Sequence, residues 1–471
     1  MIPILIFIAV VLLLCVFSSK LLYRFGIPAL LIFLILGMLF GSDGFGGIYF
    51  DNFELAEQIG SFGLIFIMFY GGFGTSWKAA KPVLAPSIWL ATAGVIITAL
   101  LTGWFCYFIL KTTLLEGLLV GAVIASTDAA SVFSILRSRK LNLKGGLASM
   151  LEVESGSNDP IAYMLTITIL SMMSVSGQVN IAAMIIMQIV FGLGIGFALA
   201  LISTAILKRI NFEIEGLYTI YVVAIVVLGY ALSQLVGGNG YLCVYVIGII
   251  LGNTKLKHKR TLVHFFDGIS WIMQMVLFFV LGLLAYPSHI PAIIGPAVLI
   301  ALFMMFVARP AAVFGILSFF KIPFKEKLFV SWVGLRGAAA IVFAIMAITQ
   351  ASALKNDVFH IVFFVALFSV AVQGTLTPLF AKKLGLVEKD NSVFKTFTDY
   401  QDEAEMHLIE VTIDLKNPWN GRTLTEIDIP KGVLVVIVKR GRKNITPNGS
   451  TVLLTGDTLV LSGDNFDEIP L

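Results

Sequence analysis

Long runs of apolar residues dominate the hydrophobic pattern of residues 1–385. Several reach the roughly 20 residues that a helix needs to cross a bilayer of about 30 Å. Because backbone groups in hydrocarbon must bond internally, the runs predict an all-α polytopic membrane domain with thirteen transmembrane helices. The predicted spans are residues 2–19, 27–41, 59–76, 83–110, 114–136, 149–174, 180–206, 215–236, 240–253, 268–286, 292–319, 328–350 and 356–380.

Composition supports this pattern and excludes two classes of protein. The 471 residues are 58% hydrophobic and only 13% charged, whereas soluble domains are about 25% charged. A water-soluble fold cannot bury so much apolar surface, and a disordered chain would be far more polar. We therefore expect a lipid bilayer to surround most of the chain.

The cations between the predicted spans indicate how the chain is oriented. They collect in alternate connections, and only Lys111 and Lys355 fall in the others. Cytoplasmic loops carry the excess of Lys and Arg, so the amino terminus is predicted outside the membrane and the carboxyl terminus in the cytoplasm. The net charge of +4 thus follows topology, and we expect no nucleic-acid partner.

The chain changes character after residue 386. Residues 387–405 are rich in charge and read as a linker between a membrane domain (1–386) and a cytoplasmic domain (406–471). Residues 407–415 alternate apolar and polar positions as a half-buried strand does. Further strands are predicted at 433–438, 451–454 and 458–461, separated by turn signals. The tail is therefore predicted to be a small α+β domain.

Five charged residues lie inside the predicted spans. Such residues are costly in a membrane and are functional candidates by default; they are Asp128, Glu154, Asp159, Arg309 and Arg336. Asp128 lies roughly 20 Å into its span and Asp159 roughly 15 Å, at about 1.5 Å per residue. The two spans enter from opposite faces, so both carboxylates are expected near the bilayer midplane.

The sequence around the two aspartates favours a cation site. In Ser126-Thr127-Asp128 the side chains compete with the helix for backbone hydrogen bonds. Gly156 and Pro160 are expected to weaken the helix that carries Asp159, and secondary transporters place cation sites where mid-membrane helices unwind. Oxygen ligands from Asp, Ser and Thr suit a hard alkali cation.

Charge arithmetic makes the hypothesis specific. Three carboxylates and two arginines leave one net negative charge, which one monovalent cation or one proton neutralises. Binding both would leave excess positive charge in a low-dielectric centre, so the two are expected to exclude each other. We interpret Glu154 as the partner of an arginine and an aspartate as the carrier. The alternative is that all five charges only pair and hold helices together.

At these residues the chain resembles the monovalent cation:proton antiporter family, in the electroneutral branch of NhaP and the animal sodium/proton exchangers. The matching motifs are Ser126-Thr127-Asp128, the run from Glu154 to Pro160, the Arg309 span, Gly334-Leu335-Arg336-Gly337-Ala338 and Val372-Gln373-Gly374-Thr375. The tail is similar to the C-terminal part of RCK/TrkA-type modules through its Leu-x-Gly-Asp-Thr-Leu turn at 454–459. The combination resembles the potassium/proton antiporter branch.

The resemblance implies a role for each residue. Asp159 would bind cation and proton in turn, with Asp128, Thr127 and Ser155 completing an alkali-cation site. Asn158 would mark one-for-one exchange, Glu154 would pair with Arg309, and Arg336 would lie at a helix break. The fold would be two inverted repeats with discontinuous fifth and twelfth spans that cross, alternating access, and dimerisation into a homodimer.

The resemblance also leaves questions open. The resemblance to the potassium/proton antiporter branch favours K⁺. Some prokaryotic relatives carry a site carboxylate in the third span, where this chain reads Tyr70-Gly71-Gly72, so cation coordination is expected to be thinner here and a Na⁺/H⁺ antiporter stays open. A cation channel gated by the tail and a sensor without transport are rivals. An enzyme is not expected, because no nucleophile–base set or phosphate loop is found. No cofactor is expected beyond a nucleotide left open as the ligand of the tail.

Overall fold

The computed structural model describes residues 2–23, 29–139, 141–174, 180–351, 354–388, 407–415, 417–430, 432–441 and 443–463. The chain forms two compact units, Met1–Phe397 and Thr398–Leu471, here called the helical unit and the carboxyl-terminal unit. Residues 389–406, which include most of the predicted linker, lie outside the described residues.

Helices cover every predicted apolar segment of the helical unit. The first ones are α1 (Ile2–Tyr23), α2 (Ala29–Phe40), α3 (Phe53–Gly74), α4 (Trp77–Ile109), α5 (Leu114–Val123), α6 (Ala129–Ser138) and α7 (Leu147–Met173). They are followed by α8 (Ile181–Arg209), α9 (Glu215–Leu235), α10 (Gly240–Gly252), α11 (Lys259–Leu284), α12 (Pro291–Phe320), α13 (Phe324–Trp332), α14 (Ala338–Gln350) and α15 (Val358–Lys383). The fifth and twelfth predicted spans are each two helices separated by a break, at residues 124–128 and 333–337.

Among the described residues, seven helices are long and apolar enough to cross a membrane: α3, α4, α8, α9, α11, α12 and α15. Several others are apolar but shorter than a full span. The helix α7 has 27 residues but carries Glu152, Glu154 and Asp159, so its composition is less apolar than that of a lipid-facing span. The chain is thus a multi-pass membrane protein, while the count of thirteen spans stays a prediction.

The two short helices α5 and α14 form the centre of the helical unit. Residues 338–347 of α14 are all buried, as are most residues of α5. Glycine lets α5 approach α4 at backbone distance, because a Cβ on Gly121 would lie 2.3 Å from the carbonyl oxygen of Ala99. This close approach holds the carboxyl end of α5, and hence the break that follows it, against α4.

The carboxyl-terminal unit is an antiparallel sheet. Its strands are β1 (His407–Thr412), β2 (Leu434–Arg440), β3 (Lys443–Ile445) and β4 (Asp457–Gly463), in the order β1-β4-β2-β3. Its core contains Val411, Ile413, Trp419, Val438 and Leu459. Alternation over residues 407–415 predicted β1 correctly. The strand predicted at 458–461 is β4, a central strand that is buried along nearly its whole length.

Two predictions for this unit were wrong. Residues 451–454 form no strand, and only Val452 makes an isolated bridge, to Thr423; an apolar pattern of four residues cannot distinguish a strand from a buried loop. The described residues of this unit contain no helix, so its α+β class is corrected to a sheet domain. The short strand β3 was missed because its residues are mostly polar.

A buried ion pair accounts for the Leu-x-Gly-Asp-Thr-Leu turn. The Asp457 carboxylate is 1% exposed and accepts from Arg440 Nε at 2.8 Å and Nη2 at 2.7 Å. It also accepts from the backbone N–H of Leu454 at 2.9 Å. The hydrogen bonds from Arg440 hold the pKa of Asp457 below its ordinary value, although burial opposes them.

We expect Asp457→Asn to lower the stability of the carboxyl-terminal unit by several degrees of melting temperature. A lowered carboxyl pKa adds stability that is present at neutral pH and is lost as the pH falls through the folded-state pKa, below about 4. Hydrogen exchange of peptides from residues 407–463, followed in the full chain as the temperature rises, measures the melting of this unit. Glu410→Gln is the control, because Glu410 pairs with Lys439 on the surface, where ion pairs add little. Equal exchange in the two variants would contradict the assignment.

Candidate functional site

Asp128 lies at the break between α5 and α6. Its carboxylate accepts from the backbone N–H of Ser131 at 3.2 Å and from the Ser131 hydroxyl at 2.5 Å. This is the geometry of a helix N-cap, in which an Asp side chain satisfies a free N–H group of the first turn. The cap explains why α6 begins directly after Asp128 and why the chain is not helical before it.

The second break crosses the first. The backbone N–H of Asp128 donates to the carbonyl oxygen of Leu335 at 2.8 Å. In return, Arg336 Nη1 donates to the carbonyl oxygens of Ala125 at 2.7 Å and Ser126 at 2.8 Å. A guanidinium at the carboxyl end of α5 stabilises the negative end of that helix dipole. The breaks therefore satisfy one another's backbone groups, as non-helical chain at membrane depth must.

Helix α7 places three side chains against the α5–α6 break. The Ser126 hydroxyl donates to the Asp159 carboxylate, which is 7% exposed. The Asn158 amide donates to the Thr127 hydroxyl at 2.5 Å, and the Ser155 hydroxyl donates to the Thr127 carbonyl at 2.8 Å. All five residues that the sequence proposed for ion binding thus come together at one crossing.

The prediction that Gly156 and Pro160 weaken α7 was wrong, because they cause no break in the helix. The helix continues without interruption through Gly156 and Pro160. The neighbouring helix α10 supports this stretch: Asn239 Nδ2 donates to the Pro160 carbonyl at 2.7 Å. A Cβ on Gly156 would lie 2.5 Å from the ring of Tyr245. Glycine here serves close helix packing instead of unwinding.

Glu154 and Arg309 form a buried ion pair. Arg309 Nη1 lies 2.6 Å from Glu154 Oε1, and Nη2 lies 2.9 Å from Oε2. The side chains are 1% and 3% exposed, so this two-pronged contact is closed to solvent. Arg309 directly follows the π-helical turn Met304–Ala308 of α12, a feature that often marks functional positions. The pair uses both charges, which leaves neither free to carry an ion.

Arg336 is less completely satisfied. Its side chain is 1% exposed, and its Nε and Nη2 atoms have no hydrogen-bond partner. Its backbone N–H donates to Ser369, whose hydroxyl donates to Gln373 at 2.6 Å. Gln373 in turn donates to the Trp332 carbonyl at 3.0 Å, which ties the π-helical turn Val370–Gly374 of α15 to the second break.

One buried acceptor in the crossing lacks a donor. Asn158 is fully buried, and with its amide nitrogen directed at Thr127, its Oδ1 atom has no hydrogen-bond partner. An unsatisfied buried oxygen is costly unless a ligand engages it. Together with Asp159 and the neighbouring hydroxyl groups, it fits the oxygen-rich surroundings that an alkali cation requires.

The third predicted span contributes no carboxylate to this crossing at Tyr70-Gly71-Gly72. The Tyr70 hydroxyl donates to Asp267 of α11 at 2.8 Å. A Cβ on Gly72 would lie 2.4 Å from the Tyr245 carbonyl, so this stretch serves helix packing. The candidate site is therefore built by α7 and the break between α5 and α6.

Sequence reasoning missed two polar clusters. Glu116 is 1% exposed and accepts from Thr112 and from the N–H and amide of Asn356, at 2.9 and 3.1 Å. The signal for it was present as the capping box Thr113-x-x-Glu116. It joins the start of α5 to the loop before α15, away from the crossing.

The second cluster contains His289, Asp357 and His360, whose ligand atoms lie within 4.8 Å of one another. His360 Nδ1 lies 2.7 Å from Asp357 Oδ2, and His360 Nε2 accepts from the Tyr286 N–H at 3.0 Å. Because Nε2 of His360 accepts a hydrogen bond, the proton of the neutral ring is on Nδ1. A metal bound through Nδ1 would require that proton on Nε2 instead. We interpret the cluster as a hydrogen-bond network.

We expect Gly337→Ala to reduce the rate of ion exchange at least about tenfold. The added Cβ would lie 2.5 Å from Asp128 Cβ and 2.6 Å from its Oδ2, so the aspartate must move. Displacement of a functional group by about 1 Å can lower a rate about 100-fold. Gly194→Ala is the control, since a Cβ at Gly194 meets nothing within 4 Å. Flux in reconstituted vesicles measures the effect. Equal rates in both variants would show that the position of Asp128 does not matter.

Comparisons with known families match both units. The family described as "Sodium/hydrogen exchanger, transmembrane" matches residues 7–383. The family described as "TrkA-C domain" matches residues 408–465.

Relatives match over most of the length. The chain is 36% identical to the K(+)/H(+) antiporter NhaP2 of Shewanella oneidensis over 446 residues, or 93% of this chain and 77% of that protein. It is 38% identical to the K(+)/H(+) antiporter NhaP of Alkalimonas amylolytica over 369 residues, 78% and 64% of the two chains. The structure is similar to that of the sodium proton antiporter MjNhaP1 from Methanocaldococcus jannaschii, with a TM-score of 0.71, 26% identity and coverage of 80% and 97%.

Proposed function

Because the chain belongs to the sodium/hydrogen exchanger family, we propose that it exchanges K⁺, with Na⁺ as the less favoured alternative, for H⁺. The family and the TrkA-C domain predicted from the motifs are confirmed. The chain is a cation/proton antiporter and a secondary transporter, not an enzyme. Its ion stoichiometry, its carrier residue and alternating access are the proposal.

The observation that carries the proposal is the crossing of the two breaks around a single uncompensated negative charge. Glu154 is neutralised by Arg309, and Arg336 lies against the carbonyl groups of Ala125 and Ser126 in the α5–α6 break. Two aspartates and one arginine then leave a net charge of −1 at the crossing. One K⁺ or one H⁺ restores neutrality, and the low dielectric of the site opposes binding of both.

We assign the carrier role to Asp159. It is the more buried of the two aspartates and receives its hydrogen bond from Ser126, whereas Asp128 caps α6. Oxygen atoms of Asp128, Thr127, Ser155 and the unsatisfied Asn158 amide would complete the cation shell. Asn158 is neutral, so the α7 pair Asn158-Asp159 carries one charge and supports exchange of one cation for one proton.

The proposal of K⁺ as substrate is supported by the similarity to K(+)/H(+) antiporters over 93% of the chain. The third span adds no carboxylate to the site, which leaves fewer charged ligands. Fewer and less charged oxygen ligands favour the larger ion, because it loses its hydration shell more readily. The similarity to a sodium proton antiporter at 26% identity keeps Na⁺ as the alternative.

The membrane arrangement completes the proposal. We propose thirteen spans in a bacterial inner membrane, the amino terminus outside and the carboxyl terminus in the cytoplasm. Two features recur seven predicted spans apart and support two inverted repeats. The helix breaks lie in the fifth and twelfth spans, and π-helical turns lie in the fourth (Leu90–Gly94 of α4) and the eleventh (Met304–Ala308 of α12). The same proposal includes assembly into a homodimer. It also divides the chain into a membrane domain (1–386), a linker (387–405) and a cytoplasmic regulatory domain (406–471), whose ligand is not assigned.

The test is exchange by the purified chain in proteoliposomes, with internal pH followed by a dye and the voltage clamped by a proton-independent ionophore. Addition of K⁺ is expected to drive H⁺ movement at the same rate at every clamped voltage, since the cycle carries no net charge. Na⁺ is expected to be less effective. Voltage-dependent exchange would contradict the one-for-one stoichiometry, and cation current without proton movement would contradict antiport.

A further inference from the structure

A short antiparallel pairing joins two distant parts of the helical unit. The backbone N–H of Lys144 donates to the Leu386 carbonyl, and the N–H of Glu388 donates to the Asn142 carbonyl, both at 2.9 Å. Between them Leu143 forms a bridge with Val387. Leu143 and Leu386 are 4% and 7% exposed. We call this pairing of residues 141–144 with 386–388 the junction.

One side of the junction is rigidly attached to α15. The N–H of Leu386 donates to the Ala381 carbonyl and that of Gly385 to the Lys382 carbonyl, both at 3.0 Å. Gly385 has φ +71°, so the turn is a Schellman motif, which requires the left-handed conformation that glycine adopts freely. The Lys144 ammonium adds a bond to the Gly385 carbonyl at 3.2 Å. The backbone of residues 385–388 is thus held in a defined direction after α15.

The other side of the junction is the loop between α6 and α7. Helix α6 is about 15 Å long at 1.5 Å per residue, with Asp128 capping its first turn and the junction loop after its last. Helix α7 begins just beyond the same loop at Leu147 and carries Asp159 roughly 18 Å along its axis. The loop therefore connects directly to both helices that carry the ion-site carboxylates.

We infer that the junction is the mechanical connection through which the carboxyl-terminal unit regulates the ion site. In the order of the chain, that unit (Thr398–Leu471) follows Glu388 after residues 389–397, so a displacement that reaches Glu388 along the chain acts on the loop that joins α6 to α7. Because a helix is stiff along its axis, a displacement at the junction end of either helix shifts Asp128 at the far end of α6 and Asp159 near the middle of α7. The inference rests on the proposed function and identifies the route of its regulation.

The first test removes one hydrogen bond of the junction in the full-length chain. Glu388→Pro deletes the N–H that bonds to Asn142, and its effect on residue 387 is mild because proline favours extended backbone before it. Glu388→Ala is the matched control, because it keeps the N–H. Exchange rate against pH is measured in voltage-clamped proteoliposomes, and we expect Glu388→Pro, but not Glu388→Ala, to change the rate about threefold or more.

The second test slackens the attachment without touching the junction. A flexible Gly-Ser insert directly after Glu388 is expected to reproduce the change caused by Glu388→Pro. The two changes combined are expected to have no more effect than either alone, because both interrupt the same connection. Fully additive effects, or an insert that acts while Glu388→Pro does not, would overturn the inference.

A cross-link distinguishes lost coupling from misfolding. Leu143 and Val387 face each other as a non-hydrogen-bonded pair, whose Cα atoms lie about 4.5 Å apart, within the range that a disulfide spans. In the Glu388→Pro background, Leu143→Cys with Val387→Cys is expected to restore the wild-type rate when oxidised and to lose it when reduced. Oxidation without recovery would overturn the inference.

Failure of the inference is distinct from failure of the proposed function. If the wild-type chain exchanges no cation for protons, the proposed function is wrong. If the wild type exchanges but the insert, Glu388→Pro and the cross-link all leave the pH profile unchanged, antiport stands and the junction does not transmit regulation.

Discussion

Replacing Asp159 by Asn is expected to abolish cation-driven proton movement, with a loss of at least about 100-fold in rate. The amide keeps the shape of the carboxyl group and can still accept from Ser126, but it neither binds H⁺ near neutral pH nor attracts K⁺. With Asp159 neutral, Asp128 and Arg336 balance each other, and no charge remains for an ion to compensate. Initial rates in proteoliposomes under voltage clamp measure the loss.

The matched control is Asp51→Asn. Asp51 is exposed in the loop before α3 and contacts Tyr49 at 3.0 Å, so its replacement should leave exchange unchanged. Retention of the folded state in Asp159→Asn is checked by its elution as a single species and by an unchanged melting temperature. Exchange at the wild-type rate in a folded Asp159→Asn protein would remove Asp159 as the carrier.

Replacing Glu154 by Gln is expected to produce the largest loss of stability. It leaves the Arg309 guanidinium charged, buried and unpaired, and breaking one partner of a buried ion pair costs about 3–5 kcal/mol. The double replacement of Glu154 and Arg309 by Gln should recover part of that stability, because no unpaired charge remains. Thermal unfolding of the purified protein in detergent measures both variants.

Glu54→Gln is the control for this series. Glu54 is an exposed residue in the first turn of α3, where loss of a carboxylate removes only a helix-dipole interaction of about 0.3–1 kcal/mol. If Glu154→Gln were as stable as Glu54→Gln, the pair would not be a structural one. If it were stable but inactive in exchange, Glu154 would have to be considered as a carrier in place of Asp159.

The crossing also sets how these effects combine. Asp128 caps α6 and bonds to Leu335, and Arg336 bonds back to Ala125 and Ser126, so each break stabilises the other. Changes at residues on the two breaks should therefore be strongly non-additive. A variant such as Gly337→Ala, which lies in one break, acts on an aspartate that belongs to the other.

Sequence patterns determined the broad organisation of this protein. Apolar runs predicted the helices because hydrocarbon requires both apolar side chains and internal backbone hydrogen bonds. Because a charged side chain in a membrane is costly, the sequence alone identified five functional candidates: Asp128, Glu154, Asp159, Arg309 and Arg336. The alternation of residues 407–415 predicted β1, because a strand with one face on a core alternates apolar and polar positions.

The tertiary structure decided which of these charges compensate one another and where the helices break. Glu154 and Arg309 are 155 residues apart in sequence, and no local pattern shows that Arg309, and not Arg336, faces Glu154. Gly156 and Pro160 suggest a break locally, yet Asn239 and Tyr245 hold α7 continuous there. The junction of residues 141–144 with 386–388 likewise joins positions whose backbone hydrogen bonds leave no local trace in sequence. Contacts between distant segments depend on packing, and packing exists only in the folded chain.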